Sequence, residues 1–292
     1  MIPRVTHQTI QRSTLANLQG NLSAMAALQA KMSSGKNVSV PSDDPAATSD
    51  ILRLRGDQRA VAQYQRNASD ADSWLTTADT AITDAAASLR QARDLTVQGG
   101  NGALGQSSRD ALATQIDGIR DSLLAQANAT YAGRSVFAGT SNAGAAFDAD
   151  YTWTGTGTSV DRRIDSGTTV RVDVDGVATF GSGTSSVFAL LDDIASTLRA
   201  GGDPTSSLGA IDERMQSMLG QLAGVGVRAK QVSDMKTTLT STDLTVKTQL
   251  SGIEDIDLAE VILDLQSQEV AYNGALGAAA KVLQPTLMDF LR

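Results

Sequence analysis

From Val61 onward, apolar residues recur in alternating steps of three and four: Val61, Tyr64, Ala68, Ala71, Leu75, Ala78, Ile82, Ala85, Leu89 and Ala92. That 3.5-residue period belongs to helices wound about one another. Ile51 and Leu54 extend the phase upstream. Pro45 suits a first helical position, with Asp44 or Ser42 as the cap before it, and Gly99-Gly100 stops the run. A continuous helix from Pro45 to Gln98 would be about 80 Å long.

A second seam lies in the C-terminal half: Leu208, Ile211, Met215, Met218, Leu222, Val225, Ala229 and Val232. Leu239, Val246, Leu250 and Ile253 continue it, for roughly 70 Å as one helix. Two long seams, far apart in sequence and similar in length, predict antiparallel pairing. The expected fold class is mainly α, a long antiparallel helical coiled-coil rod built from the N- and C-terminal halves. Leu75, Ile82, Leu89, Met215 and Leu222 are the expected rod-seam residues. A third helix is expected over Ser107–Tyr131, carrying Leu112, Ile116, Ile119 and Leu123, with Ser107 and Asp110 as its cap signature.

Between Ala138 and Ser186 the chain turns rich in Gly, Thr, Ser and Asp. Val170, Val172 and Val174 alternate with Arg171, Asp173 and Asp175, which is strand period, and Asp175-Gly176 reads as a tight hairpin turn. Thr154–Ser159 reads as a loop or an edge strand. These features predict a small inserted β-domain. The expected division is 1–40 with 251–292 as a terminal arm, 41–137 with 187–250 as the rod, and 138–186 as the insert.

The two ends form a further pair. Leu15, Leu18, Leu22, Met25 and Met32 give the N-terminal helix an apolar stripe. Leu258, Ile262, Leu265, Tyr272, Leu276, Ala279, Leu283 and Phe290 run along the C-terminal one, which Pro285 kinks, restarts or ends. Two helices alone leave one side of each uncovered. The ends are therefore expected to be loose in solution and ordered when neighbours bury Leu15, Leu18, Leu22, Met25, Leu276, Leu283, Leu287, Phe290 and Leu291.

Charge and composition narrow the function. Formal net charge is -8, so phosphate backbones and anionic lipid are poor partners, and neither nucleic acid nor membrane is expected. With no cysteine there is no disulfide framework and no thiolate metal site. The N-terminus does not read as a cleavable signal peptide, since polar residues interrupt His7–Gln19. No cofactor and no metal is expected. His7, the one histidine, lacks partners for a triad and reads as an exposed or subunit-contact residue. Asp43 and Asp44 read as helix-capping residues, and Asp257, Glu260 and Asp264 as a solvated or subunit-pairing face. Gly224-Val225-Gly226 has no strand before it and sits inside a heptad seam, so the glycines permit close helix approach or a local bend.

Ser33-Ser34-Gly35-Lys36 followed by Pro41-Ser42-Asp43-Asp44-Pro45 resembles the N-terminal signature of the flagellin superfamily. Flagellins proper usually carry a lysine before the two Asp. The Pro-Ser-Asp-Asp-Pro form is similar to the hook-associated protein 3 branch, the filament-side junction proteins. Gly133-Arg134-Ser135-Val136-Phe137-Ala138-Gly139-Thr140 resembles that branch's exit from helix to β-domain. Gly224-Val225-Gly226-Val227-Arg228 is similar to the Val-Gly-Ala-Arg stretch of flagellins, and Asp289-Phe290-Leu291-Arg292 to the junction-protein ending.

The resemblance implies a structural subunit joining hook to filament, not an enzyme, secreted through the flagellar type III export apparatus. It implies hook-associated protein 1, flagellin, copies of the chain itself and an export chaperone as partners. Ser33, Ser34, Gly35, Pro41, Asp43, Asp44 and Pro45 become the family-motif loop and cap. Two rivals stand beside it: a bulk filament flagellin, and a secreted binding module that uses the β-insert.

Overall fold

A computed structural model of the chain describes residues 7–282. It is mainly helical, 73 %, with a small two-sheet β region. The elements in order are α1 (His7–Ser34), α2 (Pro45–Gly99), α3 (Gln106–Ala127), β1 (Thr130–Tyr131), β2 (Arg134–Ser135), β3 (Asp161–Arg163) and β4 (Thr169–Arg171). After them come α4 (Gly176–Phe180), α5 (Val187–Arg199), α6 (Leu208–Glu254) and α7 (Leu258–Val282), with 3-10 turns at Gly183–Ser185 and Pro204–Ser207. Two compact units divide the chain: residues 60–243, and residues 1–59 together with 244–292.

Within residues 60–243 the α2 seam is dry. Ala68, Leu75, Ile82, Leu89 and Ala92 are fully buried in one cluster with Leu123 of α3, Leu191 of α5 and Ile211, Met218, Val225 and Val232 of α6. Met215 and Leu222 pack against it partly exposed. Partners along α2 fall as those along α6 rise. Arg93 Nε meets Asp212 Oδ1 at 2.7 Å, Asp72 meets Lys236 Nζ at 2.9 Å, and Gln65 Nε2 donates to the Leu239 carbonyl at 3.4 Å. The two helices therefore run antiparallel here.

Three local expectations need correction. Asp175-Gly176 is not a hairpin turn: the Asp175 side chain accepts from the Ala178 amide at 3.0 Å and caps α4. The strand hairpin instead pairs β3 with β4, Arg162 opposite Val170, and turns where the Ile164 amide donates to the Thr168 carbonyl at 3.0 Å. Asp-Gly suits both a tight turn and a helix start, and here Asp175 is used as a cap. Nor is Ser107 a cap. α3 begins after Gly105 with no side-chain cap, and Asp110 accepts from Gln106 Nε2 at 2.8 Å. That helix also stops at Ala127, so Tyr131 belongs to β1.

The Gly133–Thr140 motif has a physical reading. Ala132 and Gly133 both take positive φ, 49° and 77°, and turn β1 back into β2. Val136, Phe137 and Ala138 are buried beyond it. Gly139 has φ 61°, and a Cβ there would lie 2.4 Å from the Thr158 carbonyl oxygen, so only glycine fits. The insert folds around aromatic rings. Phe180 stacks edge-on to Phe137 and Phe147 at 5.1 and 5.8 Å, and Phe188 of α5 lies 5.3 Å from Phe147. Tyr151 donates to Asp192 of α5 at 2.8 Å, and Arg120 of α3 pairs with the same carboxylate.

Candidate assembly surface

α1 and α7 pair within the unit formed by the chain ends. α1 stops because Gly35 takes φ 69° and donates to the Lys31 carbonyl at 2.8 Å, while Ser34 Oγ receives the Lys36 amide at 3.2 Å. The following loop is tied by carboxylates. Asp43 accepts from the Ser39 and Val40 amides, both at 3.0 Å, and Asp44 accepts from the Ala46 and Ala47 amides, both at 2.9 Å. Those bonds, from Val40 first and then Ser39, hold the Asp43 carboxyl below its ordinary range. Asp44 is thus the cap of α2 with Pro45 behind it, whereas Asp43, expected as a cap too, ties the loop before the helix; Ser33 and Pro41 are exposed. At the other end Asp257 caps α7, accepting from the Ala259 amide at 2.9 Å.

The pair is antiparallel. Gln268 Nε2 donates toward Asn21, to both its carbonyl and side-chain oxygens at 3.4 Å, and Lys36 bridges Asp255. Its seam on α1 is Thr14, Leu18, Asn21, Met25, Leu28 and Met32, all half-buried. On α7 it is Val261, Leu265, Gln268, Tyr272, Ala275 and Ala279. Leu18 and Met25 therefore sit in the seam, whereas Leu15 and Leu22 lie outside it, 59 % and 43 % exposed.

The exposed leucines share a side. Leu15 and Leu22 each follow a seam residue of α1; Ile262 and Leu276 each follow one of α7. One residue turns a helix about 100°. In an antiparallel pair that rotation carries both sets to the same side. The hairpin so presents an apolar flank of Leu15, Leu22, Ile262 and Leu276, with Leu263 and Val270, 66 % and 73 % exposed, behind α7. Leu283, Leu287, Phe290 and Leu291 lie outside the described residues. Leu75, Ile82 and Leu89, by contrast, are core side chains with no exposed surface.

One buried charge belongs to this unit and went unread in the sequence. Glu254, the last residue of α6, is 5 % exposed. Its Oε1 pairs with Lys36 Nζ and accepts from Arg55 Nη2 at 2.7 Å. The Lys36 hydrogen bond first, and then Arg55, hold the Glu254 carboxyl below its ordinary range against the opposing effect of burial. Lys36, Arg55 and Glu254 come from three distant segments, and no spacing in the sequence links them.

Residues 5–142 match the family described as the bacterial flagellin N-terminal helical region. Flagellar hook-associated protein 3 of Salmonella typhimurium is 27 % identical over 295 residues, covering 92 % of this chain and 93 % of that protein. The chain is similar to hook-associated protein 3 along nearly its whole length. A solved structure of a flagellar hook-associated protein from Vibrio parahaemolyticus superimposes with a TM-score of 0.68 at 25 % identity, covering 73 % of this chain and all of that one. A flagellin of Bacillus subtilis, at 32 % identity, aligns over 125 residues, 40 % of this chain and 41 % of that protein. Likeness to hook-associated protein 3 thus runs nearly end to end at 27 % identity, above the 21 % of a flagellin of Listeria monocytogenes that matches over 98 % of this chain.

Proposed function

We propose that this chain is a structural subunit of the bacterial flagellum that joins hook to filament, outside the cell, and not an enzyme. The observation that carries the reading is the end-to-end likeness to hook-associated protein 3, 92 % of one chain and 93 % of the other, at a higher identity than a flagellin matched over the same length. Among the described residues no helix is long and apolar enough to cross a membrane.

The mechanical part follows from the helices. α2 and α6 are read as the antiparallel coiled coil of a rod, 41–137 with 187–250, and residues 138–186 as an outward insert. Residues 1–40 with 251–292 are read as the assembly arm. Its apolar flank, Leu15, Leu22, Ile262 and Leu276, suits helices of a neighbouring copy. Head-to-tail contacts of that kind propagate along a lattice instead of closing as a dimer. Polymer contacts would supply the burial that two helices alone lack, so α1 and α7 beyond their crossings to α2 and α6 order on assembly. The partners in this reading are hook-associated protein 1, flagellin, copies of the chain and a type III export chaperone.

Immunogold labelling of isolated flagella tests the role. A single narrow band where hook meets filament is the expected result. Label along the whole filament would make the chain a flagellin, the reading that the flagellin matches favour. No label on flagella would overturn both and revive the binding-module reading.

A further inference from the structure

Three segments converge on the Glu254 carboxylate. Lys36 comes from the connection after α1, Arg55 from α2, and Glu254 itself ends α6. Beside it the two connections bond through their backbones. The Asn37 amide donates to the Glu254 carbonyl at 2.7 Å, and the Ile256 amide donates to the Gly35 carbonyl at 3.2 Å. The other charged groups close by have partners of their own. Asp255 accepts from Ser251 Oγ, Asp43 accepts from the Ser39 and Val40 amides, and Lys31 donates to Asn37 Oδ1.

We propose that Glu254 is an electrostatic latch that clamps the two chain crossings, α1 to α2 and α6 to α7, against each other. With the latch closed, α1 and α7 leave one fixed point side by side, which sets where their antiparallel register begins. The Asn21–Gln268 contact then holds that register further along the pair. A carboxylate taken out of water this far is stable only while its cations stay in place. Removing its charge frees Lys36 and Arg55, both partly exposed, from the one carboxylate that holds them together. The segments so released, Gly35–Asp44 and Asp255–Asp257, are not helical and would keep their local ties, at Asp43, Asp44, Asp255 and Asp257, without the side-chain clamp between the two crossings.

Acid should open the latch. Because the folded Glu254 titrates below its ordinary range, its contribution is complete above that range and is lost as pH falls through the lowered value. The device works inside one chain and goes beyond the junction role.

Amide hydrogen exchange on the full chain tests it, comparing wild type with Glu254→Gln, which keeps size and shape. At neutral pH the variant should lose protection at Asn37 and Ile256 by about tenfold or more, the usual weight of a hydrogen bond to a charged group. Amides within residues 60–243 should not change. In wild type the same loss should appear only on acidification, after correction for intrinsic exchange, and the variant should show no such step. Wild-type protection in Glu254→Gln, or an undiminished acid step, would overturn the latch. Should that variant disturb residues 60–243 as well, Lys36→Met decides: lost protection at Asn37 supports the latch, and unchanged protection overturns it. Flagellar labelling plays no part in this readout, so either idea can fail alone.

Discussion

Along α2 between Val61 and Ala92 every seam residue except Tyr64 is buried, whereas along α1 each seam residue from Thr14 to Met32 keeps part of its surface in water. Both stretches use the same alternation of three and four. The difference lies in how many neighbours each helix has. In residues 60–243, side chains of α3, α5, α6 and the insert close over α2 in one cluster. In the unit of the chain ends, the described helix facing α1 is α7. Period decides which residues look toward a partner, and the number of partners decides whether they become dry.

The largest effect that would sharpen this contrast is a charge in the dry seam. Ile82→Asp puts a carboxylate where no exposed surface remains and should destabilise residues 60–243 by more than about 4 kcal/mol, read as a lowered urea midpoint. A variant with the wild-type midpoint would mean that the seam opens as readily as the arm does. Gly139→Ala comes next. It combines positive φ with a Cβ 2.4 Å from a backbone carbonyl, and should lower stability by about 3 kcal/mol while leaving α1 and α7 untouched.

Tyr151→Phe is milder, at about 1 kcal/mol for one hydrogen bond. Burial first, and then the bond to Asp192, raise the Tyr151 hydroxyl to about 12. A raised pKa favours the protonated form in the fold. This contribution is therefore present below the ordinary tyrosine value near 10 and is lost as pH rises toward 12. Alkaline unfolding of Tyr151→Phe should show a smaller loss across that window. An unchanged alkaline limb would remove Tyr151 from the account of how the insert docks on α5.

How much of this was legible follows from what each signal specifies. α2 and α6 could be read because Pro45, Gly99 and the long runs of Ala, Leu and Ile leave one phase for each. The arm offered two. Leu15, Leu18, Leu22 and Met25 step three, four, three; Thr14, Leu18, Asn21 and Met25 step four, three, four. Hydrophobicity favours the first row, yet α7 packs on the second, so Leu15 and Leu22 face outward. Its polar Asn21 meets Gln268, a register device that a scan for apolar residues passes over. α5 carried its own amphipathic signal in Phe188, Leu191, Ile194 and Leu198 after Ser186, whose side chain caps the helix, and was hidden by the change of composition around it. The Glu254 cluster left no trace, because a contact among three distant segments has no period.

The smallest effect on stability is the one that tests the comparison hardest. Leu22→Asp replaces a side chain already 43 % exposed, on the flank shared with Leu15, Ile262 and Leu276. A surface change of this kind should alter the unfolding midpoint of the lone chain by no more than about 0.5 kcal/mol. In the assembled flagellum the same flank is read as covered by a neighbouring copy, where an unpaired carboxylate loses its water and gains no partner. Incorporation should then fall sharply, seen as flagella without a junction band under immunogold, although the secreted chain keeps its helical content. Ile82→Asp has the opposite signature, a chain that fails before it can be assembled. Normal flagella from a Leu22→Asp strain would show that this flank stays wet in the polymer, and the half-buried seam of α1 and α7 would then be the finished structure instead of one waiting for a neighbour.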